Sequence, residues 1–228
     1  MNNIIRLYLY TTTKGLISIL RDKYIRISLP WKTNDYTEGV AQGETSRSEK
    51  VKEYGYICLS KTCNSPSMWG YYAEGSRGAC LVFDINKNEY RKLSRCLRFE
   101  AVTYQDERAS KNATEEDKLF IKSKEWAHEQ EYRILFNLSR RNSITVNETA
   151  IFPEKVLFRY LRGVILGAAC EKEKIEIIPL LPSKKQEVTK MLFDPLLFCF
   201  CEHQRISEND DWDDLLNRRR EAPNLMDD

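Results

Sequence analysis

The sequence predicts a mixed α+β domain: two facing, mainly antiparallel sheets with flanking helices. Three observations predict it. Segments rich in β-branched and aromatic residues outnumber segments with helical periodicity. They follow one another without the regular strand–helix–strand alternation of a parallel sheet. The 228 residues, 42% apolar and 31% charged, suffice for one core with a well-solvated surface. Residues 1–206 read as the folded unit and 207–228 as a charged tail, acidic, then RRRE, then acidic again.

In chain order, residues 4–10 read as a first strand, IIRLYLY. Thr12 or Thr13 can cap a helix whose Leu16, Ile17, Ile19 and Leu20 recur at helical spacing. A short strand follows at 24–28. Residues 29–43 are loop by their Pro, Asn, Asp and Gly content, and Asn34 and Asp35 suit either a turn or the wall of a pocket. The polar stretch 44–53 reads as a helix, a lid or plain surface. A strand at 54–60 leads to a short helix at 65–73, begun by Ser65 with Pro66 in its first position. Met68, Trp69, Tyr71 and Tyr72 cover nearly every side of it, as in a core wedge or a support for a flat ligand. Arg77 sits in a loop between Gly75 and Gly78. Residues 79–85 form the most apolar strand of this half, 98–104 another strand, and 105–113 a charged linker.

A helix is expected over 114–128, capped by Thr114 with Asp117 three positions on, and a strand over 129–136. A hairpin-like segment at 139–148 precedes an expected helix from Pro153 to about residue 161. Then come a strand between Gly163 and Gly167, a strand at 175–181, a helix at 182–191 and a last strand at 196–201.

Residues 122–136, KSKEWAHEQEYRILF, concentrate the chemistry. Side chains alternate along a strand, so Glu129, Glu131 and Arg133 share one face. That pattern describes a solvated ladder on an edge strand. It equally describes a carboxylate pair beside a pocket, one held by a cation and the other left for a ligand. The local sequence leaves both open.

Composition narrows the classes. With 36 Lys and Arg against 34 Asp and Glu, no strong overall field favours nucleic acid or membranes, although a local basic patch stays open. No apolar run reaches membrane-span length and no signal segment opens the chain, so no membrane partner is expected. Seven scattered cysteines without a C-x-x-C predict free thiols in a reducing cytoplasm. The run Cys199, Cys201, His203 lacks a fourth ligand and a well-spaced partner pair, so it reads as core thiols and no metal is expected. Dinucleotide-binding, P-loop and nucleophile-elbow motifs are absent, and with only His128 and His203 as bases a hydrolase triad is disfavoured.

The segments LYLYTTT (7–13), IRISLPWKTNDYTEG (25–39), ICLS (57–60), SMWGYYA (67–73), GACLVFD (78–84), VTY (102–104) and KEWAHEQEYRI (124–134) fall in a recognisable order. Over about residues 7–167 the chain resembles DUF2971, a bacterial family of uncharacterised proteins. WGYYA and EW-x-x-E-x-E-Y-R are the most specific blocks. That family in turn resembles the ADP-ribosyltransferase fold.

The resemblance implies an ADP-ribosyltransferase-like enzyme that moves ADP-ribose from NAD, its substrate, to a protein or nucleic acid and releases nicotinamide. A bacterial toxin or antiviral defence effector would fit that activity, with a neutralising antitoxin as partner. Glu131 would hold a ribose hydroxyl and offset the charge developing on the sugar, and Glu129 would orient or deprotonate the acceptor. Arg133, with Lys122, would tune both, and the two glutamates' roles can be exchanged. Tyr10, Thr11, Ser60, Trp69, Tyr71, Tyr72 and Asn34 would hold the NAD, with Tyr71 and Tyr72 as stacking surfaces for nicotinamide. One position departs from the pattern. Leu9 stands where relatives carry His, Lys or Arg, with Arg6 as an alternative cation. That departure keeps open a nucleotide- or nucleic-acid-binding module without turnover. A metal-independent nuclease working through Glu129, Glu131 and Arg133 is the third class.

Overall fold

Local signals set most of the first half of the chain. Strand β1 (Ile4–Thr11) hands over to α1 (Thr13–Asp22) at Thr12, whose side chain accepts from Gly15 N. The helix buries Leu16 and Leu20 and ends at Lys23 in the left-handed conformation. A two-residue strand, β2 (Ile25–Arg26), and the loop beyond it lead to β3 (Tyr54–Ser60). Helix α2 (Pro66–Tyr72) is capped by Ser65 with proline in its first turn, and β4 (Ala79–Asn86) follows. Helix α3 (Lys87–Ser94) has no counterpart in the sequence reading, although its cues are present. Asn86 caps it by accepting from Glu89 N, and Arg91 and Lys92 occupy its last turn.

The computed structural model describes residues 4–147, 149–170, 180–181, 187–193 and 200–206, with backbone alone for 193 and 200–206. Beyond α3 come β5 (Arg98–Ala101), β6 (Thr103–Gln105), the single turn α4 (Glu115–Lys118), β7 (Ile121–Ser123) and β8 (Glu131–Asn137). The chain continues through β9 (Ile144–Val146), β10 (Thr149–Ile151), β11 (Pro153–Glu154) and β12 (Leu161–Leu166). Last are β13 (Glu187–Phe193) and β14 (Phe200–Ile206).

The mixed, mainly antiparallel α+β class is as expected, but the two sheets are one. Eight strands run in the order β14-β13-β12-β4-β1-β3-β8-β5, antiparallel throughout except for the parallel β12–β13 pair. β1 pairs with β4 along its whole length, from Ile4↔Asn86 to Thr11↔Ala79. It meets β3 at one residue pair only, Tyr8↔Ser60. The sheet therefore consists of two halves that part at their centre. The main core, with Leu7, Phe83, Phe99 and Phe136 wholly buried, includes α1, and a second cluster gathers around Trp69 and Met191.

Three expected helices are corrected. In 114–128 the helix stops after one turn, because β7 pairs in parallel with β6 and a 3-10 turn, Lys124–Glu129, takes the remainder. In 153–161 the pair Pro153↔Arg26 and Glu154↔Ile25 holds the chain extended, and only Leu157–Tyr160 forms a 3-10 turn. In 182–191 residues from Glu187 on are strand, since pairing with β12 outweighs local helical preference. Of 44–53, only Glu49–Glu53 is a 3-10 turn. The hairpin-like reading of 139–148 corresponds to β9 and β10, which pair with each other. Most of the expected strand at 175–181, the side chains of Cys199, Cys201 and His203, and the tail at 207–228 lie outside the described residues. No helix among the described residues is long and apolar enough to cross a membrane.

Candidate active site

Where β1 and β3 part, a cavity of about 470 Å³ opens. Residues 8–10 of β1 and 57–60 of β3 line it, with the segments 25–29, 32–35 and 149–152 closing its sides. Glu129, Glu131 and Arg133 reach it from the start of β8. Strand alternation puts Glu131 and Arg133 on one face, in register with Ser60 and Cys58 of β3. Glu129 precedes the strand, in the 3-10 turn, and Gln130 at φ 45° turns the chain between the two glutamates. Two hydrogen bonds fix that junction. Ser60 Oγ donates to Glu129 O at 2.7 Å, and Glu131 N donates to the Tyr104 hydroxyl at 2.8 Å.

The solvated-ladder reading does not survive this placement. Glu129 and Glu131 are each 4% exposed and Arg133 1%, and β8 lies between β3 and β5 rather than at an edge. Buried charges need partners, and these have them. Glu131 Oε1 takes Arg133 Nε at 2.9 Å, while its Oε2 lies 3.4 Å from Lys122 Nζ. Lys122 donates to Glu129 Oε2 at 2.5 Å, and the Tyr72 hydroxyl donates to Glu129 Oε1 at 2.6 Å. Arg133 also pairs with Glu38 and donates to the Leu119 carbonyl, its guanidinium 4.1 Å from the centre of the Tyr56 ring. Glu38 accepts in turn from Tyr56 at 2.5 Å and Thr33 at 2.8 Å. Three carboxylates thus meet two cations, an excess of one negative charge in a buried cluster.

The protonation states follow from these neighbours. Burial by itself would raise the Glu131 pKa, but the charges of Arg133 and Lys122 outweigh it and hold the carboxyl below its ordinary value. For Lys122 burial works downward, and Glu131 and Glu129 outweigh it and raise its pKa. Burial, then the bond to Glu129, raises the Tyr72 phenol. Tyr104 is pushed up to about 12, chiefly by burial. Burial, then the charge of Glu131, also pushes up the Cys58 thiol, which makes it a poor nucleophile.

The residues named for NAD divide into three groups. Tyr10, Ser60, Tyr72 and Asn34 line the cavity, as does Leu9. Tyr10 is held there by donating to Thr62 O at 2.9 Å. Asn34 and Tyr72 also border the neighbouring cleft. Thr11 and Trp69 are not brought to the cavity. The Thr11 side chain lies against Gly15 at the start of α1, and Trp69 is a fully buried wedge donating to Cys63 O at 2.7 Å. Tyr71 points away from the cavity into a neighbouring cleft of about 360 Å³, with Trp126, His128 and Glu125. Of the two residues that complete the cluster, Glu38 stood in the loop segment 25–39 that carries the family resemblance, whereas Tyr56 carried no signal inside an apolar strand.

Residues 68–134 match the DUF2971 family model, described as a protein of unknown function. The DUF2971 resemblance of the sequence is thereby upheld over this stretch. It runs from Met68 on α2 to Ile134 on β8 and contains Tyr71, Tyr72, Glu129, Glu131 and Arg133. No curated protein and no solved structure matches the chain.

Proposed function

We infer that the protein transfers ADP-ribose from NAD to a macromolecule. The observation that carries this reading is the buried pair Glu129 and Glu131, bridged by Lys122 and with Glu131 clamped by Arg133, on the wall of a cavity at the split of the sheet. The reaction breaks the C–N bond between the nicotinamide ring and ribose, and nicotinamide leaves with the bonding electrons. The ribose carbon turns positive before the acceptor's nucleophile bonds to it, and the acceptor gives up a proton. A fixed carboxylate in a low-dielectric site stabilises such a charge without reorganising. Glu131, clamped by Arg133, suits that task. Glu129 suits proton removal from the acceptor, because its bond to Tyr72 links it to a residue that lines the second cleft.

A second reading has its own support. Leu9 lines the cavity at a position where the family resemblance implies a cation, and its lack of charge favours nucleotide binding without turnover. Incubation with labelled NAD and a cell lysate separated into protein and nucleic-acid fractions decides between them. Transfer of label into one fraction, reduced by about a hundredfold or more in Glu131→Gln, is the expected result. Intact NAD with no label moved overturns the transferase, and a thermal shift with NAD then tests the binding module.

A further inference from the structure

The cleft beside the cavity shares Asn34 and Tyr72 with it. Three of its features suit a ligand. Tyr71 is a large aromatic residue left 71% exposed, with its ring 6.4 Å from that of His128. Trp126 lies 6.2 Å from the same imidazole on a nearly parallel plane. His128 Nδ1 is 3.0 Å from the Glu125 carbonyl oxygen. A carbonyl only accepts, so Nδ1 carries the proton and Nε2 is an acceptor. Nε2 is buried and has no hydrogen-bond partner among the described residues. An unmet buried acceptor is unfavourable until a donor reaches it.

We propose that this cleft is the acceptor subsite and that it takes a nucleobase of single-stranded nucleic acid, stacked on Tyr71 beside Trp126, with a base N–H donating to His128 Nε2. The fate of the base rests on the transferase reading; its binding does not. Every nucleobase has a flat π-face, which aromatic platforms hold without regard to sequence. Guanine, thymine, uracil, adenine and cytosine also carry N–H groups for a histidine acceptor. A guanidinium is flat too, but Lys122 Nζ already lies 4.7 Å from the centre of the Trp126 ring and repels a second cation. Glu129 offers no open carboxylate fork, since Lys122 and Tyr72 take its two oxygens, and Glu125 is the other carboxylate beside the cleft. A base inside a duplex hides its faces, so the substrate is single-stranded or flipped. Tyr72 then stands between the base and Glu129, the carboxylate assigned to the acceptor's proton.

Fluorescence anisotropy with labelled single-stranded homo-oligonucleotides, in the absence of NAD, tests the binding directly. The wild-type chain should bind them more tightly than the matching duplexes. Tyr71→Ala should weaken binding about tenfold, in the range of one lost stack. Because the Tyr71 ring is exposed, this variant keeps its fold. His128→Phe, which keeps a ring and removes the acceptor, should weaken binding, whereas His128→Gln, whose amide oxygen accepts, should retain it. Absence of binding, equal affinity for duplex, or insensitivity to Tyr71→Ala overturns the proposal. So does Tyr71-dependent binding of an arginine-rich peptide where the oligonucleotides fail, which assigns the cleft to a protein acceptor. NAD consumption is read separately. Consumption without oligonucleotide binding removes this subsite and spares the transferase, while binding without consumption does the reverse.

Discussion

Glu131 and Glu154 are both buried carboxylates paired with an arginine that lies 4.1 Å from an aromatic ring centre, Arg133 over Tyr56 and Arg141 over Phe136. Their surroundings differ. Glu154 meets one cation, at 2.6 Å, and also accepts from Val156 N at 2.7 Å and Leu157 N at 3.3 Å. Charge is balanced one to one, the acceptor sites go to backbone donors, and Glu154 lines neither cavity. Its role is to pin the turn after β11 against the core. Around Glu131 three carboxylates share two cations beside an open volume. Burial and pairing are common to structural and chemical sites alike. An unbalanced charge facing a space that a ligand can enter distinguishes the second.

The largest effect should come from removing the shared cation. Arg133→Leu leaves Glu131 and Glu38 buried without their principal partner and should cost about 3–5 kcal/mol, read from urea unfolding. Trp69→Ala, which empties a fully enclosed site, should cost a similar ~3–5 kcal/mol. Glu154→Gln should cost about 1–3 kcal/mol, since the amide oxygen still accepts from the turn while the arginine loses its counter-charge. It should leave NAD consumption unchanged once the protein is folded. If consumption vanished in Glu154→Gln at retained stability, the division between the two pairs would be wrong.

Stability against pH sharpens the same contrast. The folded Glu131 pKa lies below the ordinary value of about 4.3. Its contribution is therefore complete above that value and is lost as pH falls through the folded pKa. An acid titration of the unfolding midpoint should be shallower in Glu131→Gln than in the wild type. Lys122 is raised above its ordinary ~10.4, so its contribution is complete below that value and lost as pH rises through the folded pKa. Lys122→Met should flatten the alkaline limb. The smallest effect belongs to Tyr71→Ala, which should change stability by no more than about 0.5 kcal/mol. Only two positions along α2 separate it from Trp69, and the exposed ring has nothing to hold together.

Where local chemistry decides, the sequence was legible. Thr12, Ser65 and Thr114 cap the helices they were expected to cap, because a side-chain oxygen in reach of the first free N–H groups works within four residues. The strands at 4–10, 54–60 and 79–85 stood out by composition, and each is central in the sheet. The errors fall where distant partners compete with local preference. Residues 121–123 and 187–191 follow helical patterns but pair with β6 and β12. The union of two expected sheets depends on one contact, Tyr8↔Ser60, between residues 52 positions apart.

The site divides in the same way. By itself the sequence determined that Glu131 and Arg133 share a strand face and that an aromatic helix lies upstream. These are matters of residue type and of a period of two. Only the tertiary structure decided that the glutamates are buried, that Lys122 and Arg133 pair with them, that Glu38 joins from a loop, and that Tyr71 and Trp69 part company on one helix. Burial and pairing are set by which segments pack over a face, and that depends on the whole chain rather than on any stretch of it.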